Sequence, residues 1–144
     1  MLFRSFPGET DADFAQTLSL IERVGFASAY TFGYSQRPGT PAAILQNQMH
    51  PAIIGHRLAQ IQAAISHQQL TYNQSFIGQT IEVLLERAGN PAKSRAHGKT
   101  LQLQGRSPYM QSTFVEVPDS LIGQIVPVTI TGAFPMALNG IMAT

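Results

Sequence analysis

The segment Phe76-Ile77-Gly78-Gln79-Thr80-Ile81-Glu82-Val83 recurs in altered form as Leu121-Ile122-Gly123-Gln124-Ile125-Val126-Pro127-Val128. In each copy an Ile-Gly-Gln turn precedes a run of residues that favour β-structure. Because glycine adopts positive φ at no steric cost, both copies predict a bend that leads into a strand. The echo is also consistent with two similar turns that did not arise by duplication.

Further strands are predicted around these two bends. Lys99–Leu103 and Thr113–Val117 have strand-like composition, and a last strand is expected after the turn dipeptide Asn139-Gly140. About five short strands within ~70 residues are typical of a small closed barrel of the OB type. Closure also removes the open strand edges that favour aggregation. We therefore predict an OB-like five-stranded β-barrel over residues 73–144.

Residues 1–72 predict a different organisation: turn, helix, strand, loop and helix. Thr10 and Asp13 have the spacing of a capping box, and Gly25 is a suitable residue to end the helix that they begin. Large and small side chains alternate over Phe26–Phe32, which predicts a strand. A helix–strand pair of this kind resembles the last repeat of an α/β barrel. The predicted fold class of the whole chain is therefore α+β.

The second helix of this part is expected from Pro51 to about Asn73. Its apolar stripe consists of Ile54, Leu58, Ile61 and Ile65. On the same spacing, Arg57, Gln60, Gln62 and His67 are predicted to face outward.

The composition excludes several kinds of site. The chain has 144 residues, a net charge of +1 and no cysteine. Without cysteine it has no disulfide, no thiolate zinc site and no cysteine-ligated iron–sulfur cluster of its own. No apolar run approaches the ~20 residues of a membrane span, and the absence of cysteine favours a cytoplasmic protein. The four histidines lack metal-ligand spacing, and no catalytic constellation stands out.

Basic residues concentrate in one segment. It contains Arg87, Lys93, Arg95, Lys99 and Arg106, and it has no Asp or Glu. A stretch of this kind would contact RNA phosphates and release their counterions. A solvated loop with incidental charge explains the pattern equally well.

Five ordered motifs resemble the tRNA methylthiotransferases across essentially the whole chain. They are Phe6-Pro7-Gly8-Glu9-Thr10, Tyr34-Ser35-Gln36-Arg37-Pro38-Gly39-Thr40-Pro41-Ala42-Ala43, Asn73-Gln74-Ser75-Phe76-Ile77-Gly78, Gly105-Arg106-Ser107-Pro108-Tyr109 and Leu121-Ile122-Gly123-Gln124. The string from Arg37 to Pro41 is more similar to the enzymes that act on isopentenylated adenosine beside the anticodon. The family usually has Val-Gly before the first motif, where this chain has Arg4 and Ser5. A charged Arg4 is unfavourable in a buried strand.

The resemblance implies an architecture and a chemistry for the whole family enzyme. It has an N-terminal cluster domain, a central radical S-adenosylmethionine (SAM) barrel and a C-terminal TRAM domain that binds RNA. Two 4Fe–4S clusters and SAM together insert sulfur and a methyl group at C2 of adenine. Residues 1–72 would correspond to the end of the barrel with its connecting helix, and residues 73–144 to the TRAM domain. We expect no cofactor, metal site or catalytic residue in this chain alone, because the cluster-binding regions lie upstream in the family pattern.

Candidate RNA-binding residues are Arg87, Lys93, Arg95, Lys99, Arg106 and Tyr109. Tyr109 would stack on an unpaired base. Phe114 has the same capacity, although its alternation with Glu116 also fits a position in the barrel core. By resemblance, Pro7, Gly8 and Glu9 would form a loop beside SAM, whereas their ordinary reading is a turn followed by a first-turn helix acid. Arg37 fits a phosphate contact and a surface ion pair equally well.

Three functions follow as hypotheses. The leading one is the C-terminal part of a radical SAM tRNA methylthiotransferase that retains tRNA binding and has no activity alone. A truncated product without a function of its own is the second. The third is a non-catalytic interaction module that assembles, through residues 10–65, with a separate chain bearing the clusters. The predicted partners are tRNA and the remaining enzyme portions, and no membrane.

Overall fold

A computed structural model describes residues 2–89 and 101–143, with side chains from Ser5 onward. The chain divides into two compact units, Met1–Gln69 and Leu70–Thr144. In chain order the described elements are β1 (Leu2–Arg4), α1 (Asp11–Val24), β2 (Thr31–Gly33), a 3₁₀ helix (Pro41–Ile44), α2 (Pro51–Gln74), β3 (Thr80–Ala88), β4 (Leu101–Arg106), β5 (Ser112–Val117), a 3₁₀ helix (Asp119–Leu121), β6 (Ile125–Phe134) and β7 (Ala137–Met142). The predicted α+β class is confirmed. No helix among these residues has both the length and the apolar character of a membrane span.

Helix α1 begins and ends as its sequence predicts. The Thr10 hydroxyl accepts from the Asp13 backbone N–H, and the Asp13 carboxylate accepts from the Thr10 backbone N–H in return. Gly25 ends the helix in the left-handed conformation with φ 65°. The side-chain hydrogen bond from Thr10, together with its backbone N–H, lowers the pKa of Asp13 because both stabilise the carboxylate.

The first unit has a small apolar core between its two helices. The buried members are Phe14, Ile21, Ile61 and Ile65. The predicted strand Phe26–Phe32 is wrong for most of its length, since β2 begins at Thr31. Phe26 and Ala29 pack against the core instead. Strand β2 pairs in parallel with β1, which has only three residues. The described residues of the first unit therefore offer no partner strand along which β2 could extend.

The prediction that Arg57 faces outward is wrong, because this side chain is buried. It is 4% exposed, and its guanidinium donates to the Glu9 carboxylate at 2.7 Å and to the Asp11 carboxylate at 2.6 Å. It also lies 5.1 Å from the centre of the Phe14 ring. Burial opposes the charge, but the hydrogen bonds to Asp11 and Glu9 outweigh it and raise the pKa of Arg57. A buried cation needs such partners, and helical spacing does not reveal them.

The second unit is a closed barrel with strand order β3-β4-β5-β7-β6. Neighbouring strands of the barrel are antiparallel, except that β5 and β7 run parallel. The core consists of buried Phe76, Val83, Leu85, Leu103, Val115, Val117, Val126, Val128, Ile130 and Leu138. The predicted five-stranded OB-like barrel is therefore confirmed. The predicted strand at Lys99–Leu103 is described from Leu101 and continues to Arg106, while Lys99 lies outside the described residues.

The two Ile-Gly-Gln bends occupy equivalent places in the barrel. Gly78 has φ 85° and Gly123 has φ 86°, as a bend into a strand predicts. The Gly78 N–H donates to Ile130 O on β6 at 2.8 Å, and the Gly123 N–H donates to Leu85 O on β3 at 2.7 Å. Each bend thus docks on the strand that the other bend begins.

The predicted turn at Asn139-Gly140 is wrong, because both residues lie inside β7. The chain turns at Pro135 and Met136 instead. A Cβ at Gly140 would collide with the Val128 side chain and would lie 2.7 Å from the Thr129 carbonyl oxygen. Gly140 therefore permits close approach of two strands and does not mark a turn.

Candidate nucleic-acid interface

The outer face of β3, β4 and β5 positions the first candidate, Arg87. Leu103 and Gly105 of β4 point into the barrel, so that Gln104 and Arg106 lie on the outer face. A bulge in β3 between Leu85 and Arg87 shifts the register and places Arg87 opposite Gln104. Arg87 donates through Nε and a terminal nitrogen to Gln104 Oε1, both at 3.2 Å. The bulge thus turns a basic side chain to the polar outer surface.

Phe114 belongs to this same outer face and not to the core. It lies opposite Gln104 on one side and opposite Asn139 on the other. Its neighbours along β5, Thr113 and Val115, are the buried ones. The core alternative for Phe114 is therefore wrong. The half-buried ring lies between two amide side chains on the barrel exterior.

Arg106 lies on the outer face of β4, two residues beyond Gln104. Its Nε is 3.4 Å from Glu86 Oε1, and a terminal nitrogen donates to Met110 O at 3.3 Å. The side chain is 36% exposed. These two contacts use two of the five N–H donors of a guanidinium. The arrangement suits a cation that also contacts an anion from solvent.

Tyr109 is presented by a tight loop between β4 and β5. The residue is 55% exposed, and its ring centre lies 5.1 Å from that of Phe76. The Ser107 hydroxyl accepts from the backbone N–H groups of Tyr109 and Gln111. One side of the ring is therefore supported by the protein while much of the ring remains accessible.

Buried Asn73, near the end of α2, fixes this loop and was not among the predicted site residues. Its side-chain nitrogen donates to Phe134 O at 2.7 Å, and its side-chain oxygen accepts from Gln111 at 2.9 Å. Gln111 in turn accepts from the Ser107 hydroxyl at 2.8 Å. Asn73 stands in the third motif of the chain, but the sequence does not indicate a contact with a loop more than 30 residues later.

The remaining predicted RNA-binding residues are Lys93, Arg95 and Lys99. They fall in residues 90–100, outside the described part of the chain. The structure thus brings Arg87 and Arg106 to one outer face, with Tyr109 in the following loop. The segment that contains the three other cations joins β3 to β4.

The loop Pro7-Gly8-Glu9 forms a turn in which Gly8 has φ 89°. The Glu9 carboxylate accepts from the Ser5 backbone N–H at 3.0 Å as well as from Arg57. Its side chain is 10% exposed. This carboxylate therefore holds the turn against α2, and its place beside SAM remains a prediction.

The described residues contain no cluster of side chains suited to binding a metal ion. Across residues 2–89 and 101–143, no group of three His, Cys, Asp or Glu side chains could hold a metal ion. Because the sequence has no cysteine, it also supplies no thiolate to an iron–sulfur cluster.

The sequence of the chain matches a protein family and known proteins. The TRAM domain family matches residues 74–142. The tRNA-2-methylthio-N(6)-dimethylallyladenosine synthase of Maricaulis maris (strain MCS10) is 49% identical over 135 residues, which are 94% of this chain and 28% of that relative. The enzyme of the same name from Zymomonas mobilis subsp. mobilis (strain ATCC 31821 / ZM4 / CP4) is 44% identical over the same shares. The chain spans little more than a quarter of the length of these relatives. Residues 74–142 are therefore a TRAM domain, and the chain as a whole matches the C-terminal part of the tRNA methylthiotransferases.

Proposed function

We propose that the barrel binds tRNA as the RNA-holding part of a methylthiotransferase that modifies isopentenyladenosine. The observation that carries the proposal is that the outer face of β3 and β4 presents Arg87 and Arg106. These two residues are the first and last of five cations in a segment without Asp or Glu. Basic side chains on one face provide the electrostatic contact with phosphates. Tyr109, accessible beside them, provides a stacking surface.

The proposal assigns no chemical step to this chain. With no cysteine, its own residues do not hold a cluster, and two clusters with SAM would supply the sulfur and methyl transfer from other parts of the enzyme. In the proposed division, residues 1–72 belong to the end of the radical SAM barrel and residues 73–144 to the RNA-binding domain. The parallel pair β1 and β2 supports this division, because parallel strands are normally part of larger sheets covered by helices.

The test measures tRNA binding by the full chain across a salt series. Arg87→Gln and Arg106→Gln should each weaken binding and lower the slope of log K against log salt by about 0.7–0.9, the value for one lost phosphate contact. Arg23→Gln is the matched control, because Arg23 is an exposed cation in the last turn of α1. Equal slopes for the wild-type chain and both barrel variants would contradict the proposal.

Stacking by Tyr109 is tested separately from charge. Tyr109→Ala should weaken tRNA binding about tenfold, within the range for loss of one base–aromatic stack, and should leave the salt slope unchanged. Tyr30→Ala is the control, since Tyr30 is 76% exposed in the first unit. If the two tyrosine variants bind tRNA alike, Tyr109 has no stacking role.

A further inference from the structure

A cleft on the outside of the barrel adjoins Arg106. Its volume is about 280 Å³, near the lower limit of roughly 300 Å³ for small-molecule sites. The outer face of β3, the end of β4, the following turn and the start of β6 form its walls. The lining side chains are Glu82, Leu84, Glu86, Arg106, Met110 and Ile125, together with Ser107 and Pro108.

The floor of this cleft is apolar and exposed. Leu84 is 40% exposed, Ile125 is 64% exposed and Met110 is 70% exposed. Leu84 and Ile125 lie side by side on paired strands, so they form one continuous surface. Three exposed apolar side chains that line one cleft offer a surface that an apolar ligand face would cover. A methionine thioether makes favourable contacts with aromatic rings, so the floor suits a flat ring.

The charged side chains at the rim of the cleft determine which hydrogen-bonding groups a bound ring would need at its edge. Glu82, Leu84 and Glu86 share the outer face of β3, with Leu84 between the two glutamates. This order places two carboxylates beside the floor of the cleft. Ionised carboxylates are pure acceptors, so they favour a ligand edge that carries N–H donors. Arg106, 3.4 Å from Glu86, adds a cation at the same rim. The combined requirement is a flat ring with N–H donors and a nearby anion.

We propose that this cleft binds one unpaired guanine nucleotide of the RNA, with the base on Leu84, Met110 and Ile125. Guanine presents adjacent N1–H and N2–H donors on its Watson–Crick edge, which can pair with a single carboxylate. Uracil offers one N–H between two carbonyl oxygens that the carboxylates would repel. The neighbouring phosphate would contact Arg106. This inference rests on the proposed tRNA binding and names the feature of the RNA that the barrel reads.

The experiment measures the binding of short oligouridylates that carry one central G, A, C or U, by fluorescence anisotropy with the full chain. The G oligomer should bind about tenfold tighter than the all-U oligomer, within the range of one bidentate base contact. At least one of Glu82→Gln and Glu86→Gln, the one that removes the carboxylate paired with the base, should reduce that ratio. A purely electrostatic effect of removing a carboxylate would strengthen all four oligomers equally and leave the ratio intact.

Glu116→Gln is the matched control, since Glu116 is exposed on β5 and does not line the cleft. The inference is overturned if the G and U oligomers bind alike, or if neither cleft variant changes their ratio. Either result with tRNA binding and its salt slope intact would assign the cleft to a protein partner or to no ligand, while the proposed function stands. If the wild-type chain binds no RNA at all, both the cleft inference and the proposed function are refuted.

Discussion

Ser5 occupies a backbone conformation that suits glycine, and replacing it should stabilise the first unit. Its φ is 62°, in the left-handed region that L side chains rarely adopt. The residue is fully buried, and its hydroxyl finds no hydrogen-bond partner among the described residues. Its backbone N–H donates to the Glu9 carboxylate at 3.0 Å, a contact that glycine would keep. Ser5→Gly therefore removes two unfavourable features and no hydrogen bond seen in this part of the chain.

The size of the effect follows from three contributions. A left-handed residue other than glycine costs about 1–2 kcal/mol. A buried hydroxyl without a partner costs about 1–3 kcal/mol. Glycine returns about 0.4–1 kcal/mol by increasing the entropy of the unfolded chain. With the smaller estimates for the first two, we expect Ser5→Gly to raise the free energy of unfolding by about 1–2 kcal/mol.

Urea denaturation followed by helical circular dichroism measures this change, because α1 and most of α2 lie in the first unit. Ser5→Ala separates the contributions, since it removes the hydroxyl and keeps the Cβ, so it should recover only part of the gain. Ser35→Gly is the control at an exposed position with ordinary backbone angles. The reasoning fails if Ser5→Gly leaves stability unchanged or lowers it.

Three further outcomes are expected. Thr10→Ala should cost about 1 kcal/mol of stability through loss of the helix cap, measured by urea denaturation. Because the pKa of Asp13 is lowered in the folded chain, its contribution is present above the ordinary carboxyl pKa and is lost as the pH falls through the lowered value; Asp13→Asn should flatten stability over that acidic range. Gly105→Ala should destabilise the barrel by ~3 kcal/mol, because its Cβ would lie 2.5 Å from Leu84 O, whereas the same change at exposed, unobstructed Gly55 in α2 should raise thermal stability.

Local signals in the sequence predict much of the fold. The capping box of Thr10 and Asp13 acts over four residues, and the left-handed stop at Gly25 depends on one. The bends at Gly78 and Gly123 likewise need a residue that tolerates positive φ. Such features depend on short-range sterics and hydrogen bonds, so the residue types indicate them directly.

The predictions that were wrong depend on contacts between residues that are distant in sequence. Arg57 is buried because Glu9 and Asp11 meet it from more than 40 residues away. Gly140 lies within a strand because Val128 and Thr129 approach it closely. Helical spacing and turn propensity do not contain this information, since both describe one segment at a time.

The candidate interface was predicted in part. Arg87, Arg106 and Tyr109 are at the barrel surface, as a role in RNA binding requires. Asn73, which orders the loop that presents Tyr109, and the cleft beside Arg106 were both missed. Each is assembled from several elements that meet through the strand register. A one-residue change of register would turn Leu84 inward and remove the floor of the cleft.

The order in which the barrel strands leave the ribosome has a consequence for biogenesis. β7 is made last of the five, yet it lies between β5 and β6 and closes the barrel. The bend at Gly78 finds its acceptor, Ile130, about 50 residues later in synthesis. Until β7 emerges, the edges of β5 and β6 lie open to pairing with other chains. The nascent domain is therefore exposed to aggregation until synthesis of its final strand is complete.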